Sequence, residues 1–336
     1  MKIITVSMMK NEEAMAESSI RYWLTFSDEV LVFDHGSSDG TAQILTALCA
    51  ELPDRLIPFH PDFEVGQEYR QAEVTNAMLQ TAFDKRGADL VLPLDADEFP
   101  YLEGDGSETL RAYLASLDQD NCYSAFWTPF APPEDDRIDF SRLVPLSFHR
   151  KRKKPLRRWA KCILTGKTYR QDPICVTMGN HEIFRPSGNP VPPVIGLAPA
   201  LYYAHYMYRS LAHFRYKVAN GWIASYARLD WTPGASEHYR IACEQIMTGQ
   251  VSREDVDWFA LSVSGKTGES RDEILSCVET VDPADFFPEL PLRYTERYSQ
   301  HTDEFALLLR TVLAFTEQYR TVKQALEDCK RENTAR

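Results

Sequence analysis

The segment Val91 to Pro100, VLPLDADEFP, sets three carboxylates, Asp95, Asp97 and Glu98, directly after an apolar run. Side chains at i and i+2 of an extended chain point the same way, so Asp95 and Asp97 would offer two hard oxygen ligands on one side of the backbone. That pair suits one divalent cation, Mn2+ or Mg2+, which takes carboxylates together with the phosphate oxygens of a bound diphosphate. An acidic cluster at a strand end also serves as a solvated turn, so its company decides between the two readings. Two further polar clusters lie upstream: Lys10-Asn11-Glu12-Glu13, and Asp34 to Thr41 with the sequence DHGSSDGT. Asp34, before a Gly-containing turn, can accept hydrogen bonds from a base or ribose hydroxyl, or can form the turn itself. Asn11 and Glu12 either meet a nucleotide or cap the helix that follows. Arg70 can grip phosphate oxygens bidentately or lie on the surface near a helix start.

These clusters need elements to position them. Lys2–Met8, Glu29–Phe33, Arg55–Phe59 and Asp89–Leu94 read as strands. Ala14–Phe26, Ala42–Glu51 and Tyr69–Lys85 read as the helices between them. Alternation of this kind predicts an α/β fold with a mainly parallel sheet flanked by helices, whose ligands bind beyond the carboxyl ends of the strands. All three polar clusters fall at such ends.

Composition bounds the rest. The chain has 336 residues, 44% hydrophobic and 26% charged, as in an ordinary globular protein. No run of about 18 apolar residues occurs, and the N-terminus MKIITVSMMKNEE reads as a first strand and not as a signal peptide. The seven Cys are scattered without C-x-x-C spacing, which points to a reducing, cytoplasmic setting with no disulfide framework and no structural zinc. From Ser141 to Gln171 there are eleven Lys or Arg and no acid, so against a net charge of −12 the remainder of the chain carries about −23. The strip is densest at Arg150 to Arg158 and favours an anionic acceptor or peripheral contact with a membrane face, or else is a solvated loop. With only Trp159 for stacking beside its densest part and no nucleic-acid fold motif around it, it does not suggest nucleic acid.

In order and spacing, KNEEA, FDHGSSDGT, EYRQAEVTNAML and LDADEF resemble the glycosyltransferase family 2 group with the GT-A fold, in the branch whose acidic motif is D-x-D-E-F. The resemblance is plain over about residues 1–105, looser to about 225, and absent afterwards. It implies a metal-dependent, inverting transfer of a sugar from a nucleotide diphosphate donor to a hydroxyl of a saccharide or lipid-linked glycan, as in polysaccharide biosynthesis. It also implies nucleotide contacts from Asn11, Glu12, Asp34, Arg70 and Asp95, with Lys161 and Arg209 sharing the diphosphate charge, and a His completing the metal site. His181, ending the apolar stretch ICVTMGNH, resembles that ligand, and imidazole would favour Mn2+. His205, in YYAHYMYRSLAHFRYK with Arg209 and Lys217, is its rival. The base that activates the acceptor is sought among Glu134, Asp135 and Asp136 in the loop TPFAPPEDD and at Glu182. No Q-x-x-R-W segment of processive members is present, which argues against a polymer synthase.

The pattern changes near Trp231 to Gly234. A first domain, residues 1–230, would hold donor and acceptor, and residues 231–336 would form a helical extension. From Thr302 to Asn333, apolar residues such as Leu308, Val312 and Val322 recur at spacings of three and four, either a seam for a homodimer or the packed face of a local helix. Two other classes compete with glycosyl transfer. One is a nucleotidyltransferase, which lacks here its Gly-rich loop after strand one. The other is a catalytically silent relative that binds glycan or a partner.

Overall fold

The computed structural model describes residues 1–65, 70–104, 108–195, 200–226, 237–262 and 268–298, together with 307–308, 310–313, 319 and 321–322 near the C-terminus. The chain begins with β1 (Ile3–Met9), α1 (Ala16–Trp23), β2 (Glu29–Asp34), α2 (Thr41–Glu51), β3 (Leu56–Pro58), α3 (Gln71–Gln80) and β4 (Leu90–Pro93). Next come β5 (Glu98–Glu103), α4 (Leu110–Ser116), β6 (Tyr123–Ala131), β7 (Arg150–Arg152), β8 (Leu156–Thr165) and α5 (Gly166–Gln171). Short strands β9 (Cys175–Val176), β10 (Ile183–Phe184) and β11 (Val194–Ile195) lead to β12 (Ala200–His205) and α6 (Leu211–Tyr226). The last elements are α7 (Glu237–Met247), α8 (Arg253–Ser262), α9 (Arg271–Ser276), β13 (Val278–Thr280) and α10 (Thr295–Tyr298).

The first four strands are parallel and lie in the order β3-β2-β1-β4. All seven residues of β1 are buried, as a central strand covered on both faces requires. Alternation then divides the core. Ile3, Val30, Val32, Leu90 and Leu92 pack on Ile20, Trp23, Ile44 and Leu48 of α1 and α2. Ile4, Val6, Met8, Leu31 and Val91 face the other way, onto Val74, Met78, Leu79 and Phe83 of α3 and its extension. The expected helix Tyr69–Lys85 is α3 followed by a π-helical turn, Thr81–Lys85, and Tyr69 lies outside the described residues. The fold is therefore α/β, with a sheet that is parallel in the half bearing the polar clusters.

Beyond β4 the sheet continues antiparallel through β8, β6, β7 and β13. β12 lies between β5 and β6, antiparallel to the first and parallel to the second, and pairs His205 with Glu98. Among the described residues after 231 the regular elements are helices apart from β13, which adds a strand at β7. Its helices α7 and α8 pack on α6 through Phe214, Val218, Ala242, Val256 and Phe259. Glu17 of α1, fully buried, accepts hydrogen bonds from the backbone N–H groups of Arg293, Tyr294 and Thr295 and so fixes that segment to the N-terminal helix. Half of the proposed dimer seam, Phe305, Phe315, Leu326 and Cys329, lies outside the described residues.

Candidate active site

The sheet order places β1 between β2 and β4, so the chain leaves β1 toward one side and later returns to the other. In α/β sheets such a switch point opens a crevice beyond the strand ends. The loop after β1 carries Asn11 and Glu12 into it, and the loop after β4 carries Asp95 and Asp97. These two aspartates are not on an extended strand as expected. They occupy the turn joining β4 to β5, where Glu98 N–H bonds the Asp95 carbonyl at 3.0 Å and Asp95 N–H bonds the Glu98 carboxylate at 3.0 Å.

Each carboxylate of the turn meets a lysine. Lys161, from β8, is fully buried and lies 2.7 Å from Asp95 Oδ2 and 2.8 Å from Glu98 Oε1. Lys217, from α6, lies 2.5 Å from Asp97 Oδ2. The second Asp95 oxygen accepts from Gln71 Nε2 at 2.6 Å, and Gln71 Oε1 in turn accepts the Gly179 N–H at 2.8 Å. Burial alone would raise the Asp97 carboxyl, but Lys217 reverses this and holds it well below the usual carboxylate range. Burial pushes Glu98 up to about 8 against the pull of Lys161, with Asp95 and Asp97 adding to the rise.

Trp127 of β6 is the hub of the aromatic wall. Its Nε1 donates to Glu98 Oε1 at 3.0 Å. The His205 ring stacks on it at 4.1 Å and 11°, and the His181 ring meets it edge-on at 5.1 Å. His205 Nε2 is 3.8 Å from Asp97 Oδ2, while its Nδ1 is buried with no hydrogen-bond partner among the described residues. His181 points elsewhere. Its Nδ1 bonds the Ala160 carbonyl at 2.9 Å, and Lys161 and Asp95 are charged groups that bear on it. Burial lowers both imidazoles to about 4, so both are neutral at pH 7 with a nitrogen lone pair available.

α6 and the link before it complete the site. Arg209 Nη1 lies 2.8 Å from Glu12 Oε2, and the Tyr216 hydroxyl accepts from Asn11 Nδ2 at 2.7 Å. Asn11 is held in the left-handed region, φ 56°, where its Oδ1 accepts the Ser38 N–H at 2.7 Å. Burial raises the Glu12 carboxyl, with Arg209 and Lys217 opposing.

The remaining expected site residues make other contacts in this structure. Lys161 does not face open space and is bound to Asp95 and Glu98. Arg70 pairs with Glu73 and the Glu64 carbonyl, and lies over the Phe63 ring at 5.3 Å. Asp34 forms the turn, accepting from Ser37 N–H and Oγ. The Gly-Asn-His stretch is the turn of the β9–β10 hairpin, with Gly179 and Asn180 both at positive φ, and not the end of a strand. None of the four base candidates contacts the cluster among the described residues. Glu134 and Asp135 line an open cleft of about 740 Å3 beside Arg137, Arg142 and Arg150. Asp136 caps α6 at Leu211 N–H and pairs with Arg253. Glu182 is exposed.

The first three residues of the basic strip's densest part are also not free for an anion. Arg150 pairs with Asp257 at 2.8 Å, Lys151 with Glu279 at 2.9 Å, and Arg152 with Glu269 at 2.6 Å. Lys151 and Arg152 are buried. The acids come from the C-terminal region, which a count of charges along the strip does not reveal. Gln71 and Trp127 went unsuspected because one is a polar residue in a helix start and the other an aromatic in an apolar strand. Lys217 was legible only through its segment. Among the described residues no helix is long and apolar enough to cross a membrane, and the six described cysteines are free.

No protein-family model and no curated protein matches the chain. Solved structures similar to it include TarS of S. aureus, at 14% identity over 82% of this chain and 50% of that one, with a TM-score of 0.33. Another is the mannosyltransferase PcManGT from Pyrobaculum calidifontis in complex with GDP-Man and Mn2+, at 13% identity over 94% and 86%, TM-score 0.34. A third is glucosyl-3-phosphoglycerate synthase from Mycobacterium tuberculosis with Mn2+, UDP and glucosyl-3-phosphoglycerate, at 20% identity over 38% and 44%, TM-score 0.26. The chain thus spans half the length of TarS and less than half of the synthase. These likenesses are distant, and the functional reading rests on the residues of the site.

Proposed function

We propose that the chain is a glycosyltransferase that moves a sugar from a nucleoside diphosphate donor to a hydroxyl of a saccharide or lipid-linked glycan, with inversion. One observation carries the reading: Glu12, Asp97, Arg209, Lys217 and the His205 imidazole lie together at the switch point of the sheet. Transfer from such a donor needs a site that stabilises the departing diphosphate, and fixed cations in a water-poor crevice do this best. Arg209 and Lys217 would supply that charge on leaving Glu12 and Asp97. Asn11 and Asp34, at the tips of β1 and β2, would bind the nucleoside after Asp34 exchanges its turn contacts.

The donor atoms also fit a divalent ion. Mg2+ and Mn2+ are held in such enzymes by one or two carboxylates plus substrate phosphates and water, without a full protein cage. Accordingly, no preassembled group of three acidic, His or Cys ligands occurs among the described residues. Asp97 Oδ2 and His205 Nε2, 3.8 Å apart, can share one ion, and His205 replaces His181 as the favoured imidazole. Such an ion would add positive charge against the leaving diphosphate. Asp95, with both oxygens engaged, positions the turn.

Thermal unfolding with UDP, GDP or CDP, each with Mn2+ or with EDTA, tests the reading on the wild type and on Asp97→Asn. One nucleotide should stabilise the wild type only with Mn2+, by about 2.7 kcal/mol at a hundredfold excess over Kd. Release of free nucleoside diphosphate on turnover then confirms glycosyl transfer. Pyrophosphate would instead mean nucleotidyl transfer, and no metal-dependent stabilisation by any nucleotide would favour a silent binding module.

A further inference from the structure

The two aspartates of the turn are held differently, and only one can exchange its partner. Asp95 is bonded on one oxygen by Gln71 and on the other by Lys161, whose ammonium is fully buried and bound also to Glu98. Removing Lys161 from Asp95 would strip a second buried carboxylate of its cation. Asp97 has no such lock. Its lysine, Lys217, has a side chain 25% exposed, and Glu12, Tyr239, His205 and His213 also lie near that ammonium. His205 Nε2 faces the same Asp97 oxygen at 3.8 Å, too far for a hydrogen bond and close enough to share an ion.

We propose that Lys217 is an exchangeable counter-ion. It neutralises Asp97 in the protein without ligand, releases that carboxylate to an incoming divalent cation, and swings its ammonium onto the phosphate oxygens of the nucleotide. A carboxylate 7% exposed needs a cation in both states, because an unpaired buried charge is costly. Lysine suits the exchange, being a compact charge on a flexible four-carbon stem, whereas a guanidinium in its place would be held by planar, forked hydrogen bonds. The metal and Lys217 therefore compete for Asp97 when alone, and a nucleoside diphosphate recruits both. Metal and nucleotide should each strengthen the other's binding by the same factor.

The destination of the ammonium rests on the glycosyltransferase reading, whereas the competition at Asp97 does not. The test is binding of Mn2+ alone, followed by the electron paramagnetic resonance signal of the free ion, on wild type, Lys217→Met and Lys217→Gln. Both variants should bind Mn2+ alone about tenfold more tightly than the wild type, and should lose most of the gain that nucleotide gives. Equal or weaker Mn2+ affinity in a folded variant overturns the exchange. Should neither variant fold, reductive methylation of the wild type read by mass spectrometry decides the matter. Mn2+ should raise labelling of Lys217 and not of Lys161, and no rise at Lys217 rejects the proposal. Tighter Mn2+ binding by the variants with no nucleotide bound by any form would sustain the exchange and remove the donor reading. Metal-dependent nucleotide binding by the wild type with unaltered Mn2+ affinity in the variants would do the reverse.

Discussion

At the scale of single residues, the site is a set of buried charges matched pair by pair, with two imidazoles left neutral between them. His205 is surrounded by Asp97, Lys217, Lys161 and Asp95, and His181 by Lys161 and Asp95. For both, burial outweighs the nearby carboxylates and lowers the imidazole to about 4 from an ordinary value of 6.5. The sign of the consequence follows directly. Between pH 6.5 and pH 4 the unfolded chain takes up protons at these positions that the folded chain refuses, so their contribution to stability falls as the pH drops through that window. Each unmatched histidine contributes about 1.4 kcal/mol per pH unit where the difference is complete. Glu98, held up to about 8, contributes with the opposite sign over the same window, so the comparison that isolates the ring is between variants. Urea unfolding at pH 7 and at pH 5 should show His205→Gln losing less stability on acidification than the wild type, and an identical pH dependence in the two would contradict the burial of His205.

At the scale of elements, α6 reaches back to loops nearly two hundred residues earlier in the chain. Arg209 just before it meets Glu12, and Tyr216 and Lys217 within it meet Asn11 and Asp97. Asn11 links the β1 and β2 loops to this helix, and it does so from the left-handed region at φ 56°. Two effects can therefore be separated by substitution. Asn11→Ala loses the side-chain hydrogen bonds and also carries the strain of a Cβ at positive φ, whereas Asn11→Gly loses only the bonds. Denaturant unfolding should find both variants less stable than the wild type, with Ala worse than Gly by about 1 kcal/mol. Equal losses, or a more stable Ala variant, would mean that the loop relaxes out of this conformation. The same contacts explain what was legible in the sequence. The strands and helices of the first hundred residues were readable because their periodicities are local, and the acidic turn was readable because its motif is contiguous. The partners of that turn were not. Gln71, Trp127, Lys161 and Lys217 come from a helix start, two strands and a distant helix, and only the sheet order brings them together. His181 was preferred to His205 because Gly-Asn-His resembles a strand end, whereas a pair of positive-φ residues makes it a hairpin turn.

At the scale of the whole molecule, charge that is segregated along the sequence is interleaved in space. The strip from Arg150 to Arg152 forms β7, an interior strand of the sheet between β6 and β13. There Lys151 is flanked by Glu103 and Glu279, and Arg152 reaches Glu269, so acids from before and after the strip neutralise it. The C-terminal region thus supplies counter-charge to the central sheet through Asp257, Glu269 and Glu279, and Glu17 binds it from the other side. A surface of this kind gives little attraction to an anionic bilayer, since a polybasic segment draws about 1 kcal/mol per cation only where its charges are unpaired and near the lipid. The body as a whole, at −12, is repelled. The full chain should therefore remain in the supernatant when sedimented with vesicles of anionic phospholipid, even at low ionic strength where attraction is strongest. Replacing Lys153 and Lys154, both exposed, by Gln should change neither that result nor the unfolding midpoint by more than about 0.5 kcal/mol. Arg152→Gln should cost more, about 1–3 kcal/mol, because the buried guanidinium is bonded both to Glu269 and to the Lys154 carbonyl. Co-sedimentation of the wild type that is lost in the Lys153→Gln, Lys154→Gln variant would show instead that the exposed end of the strip is a membrane contact.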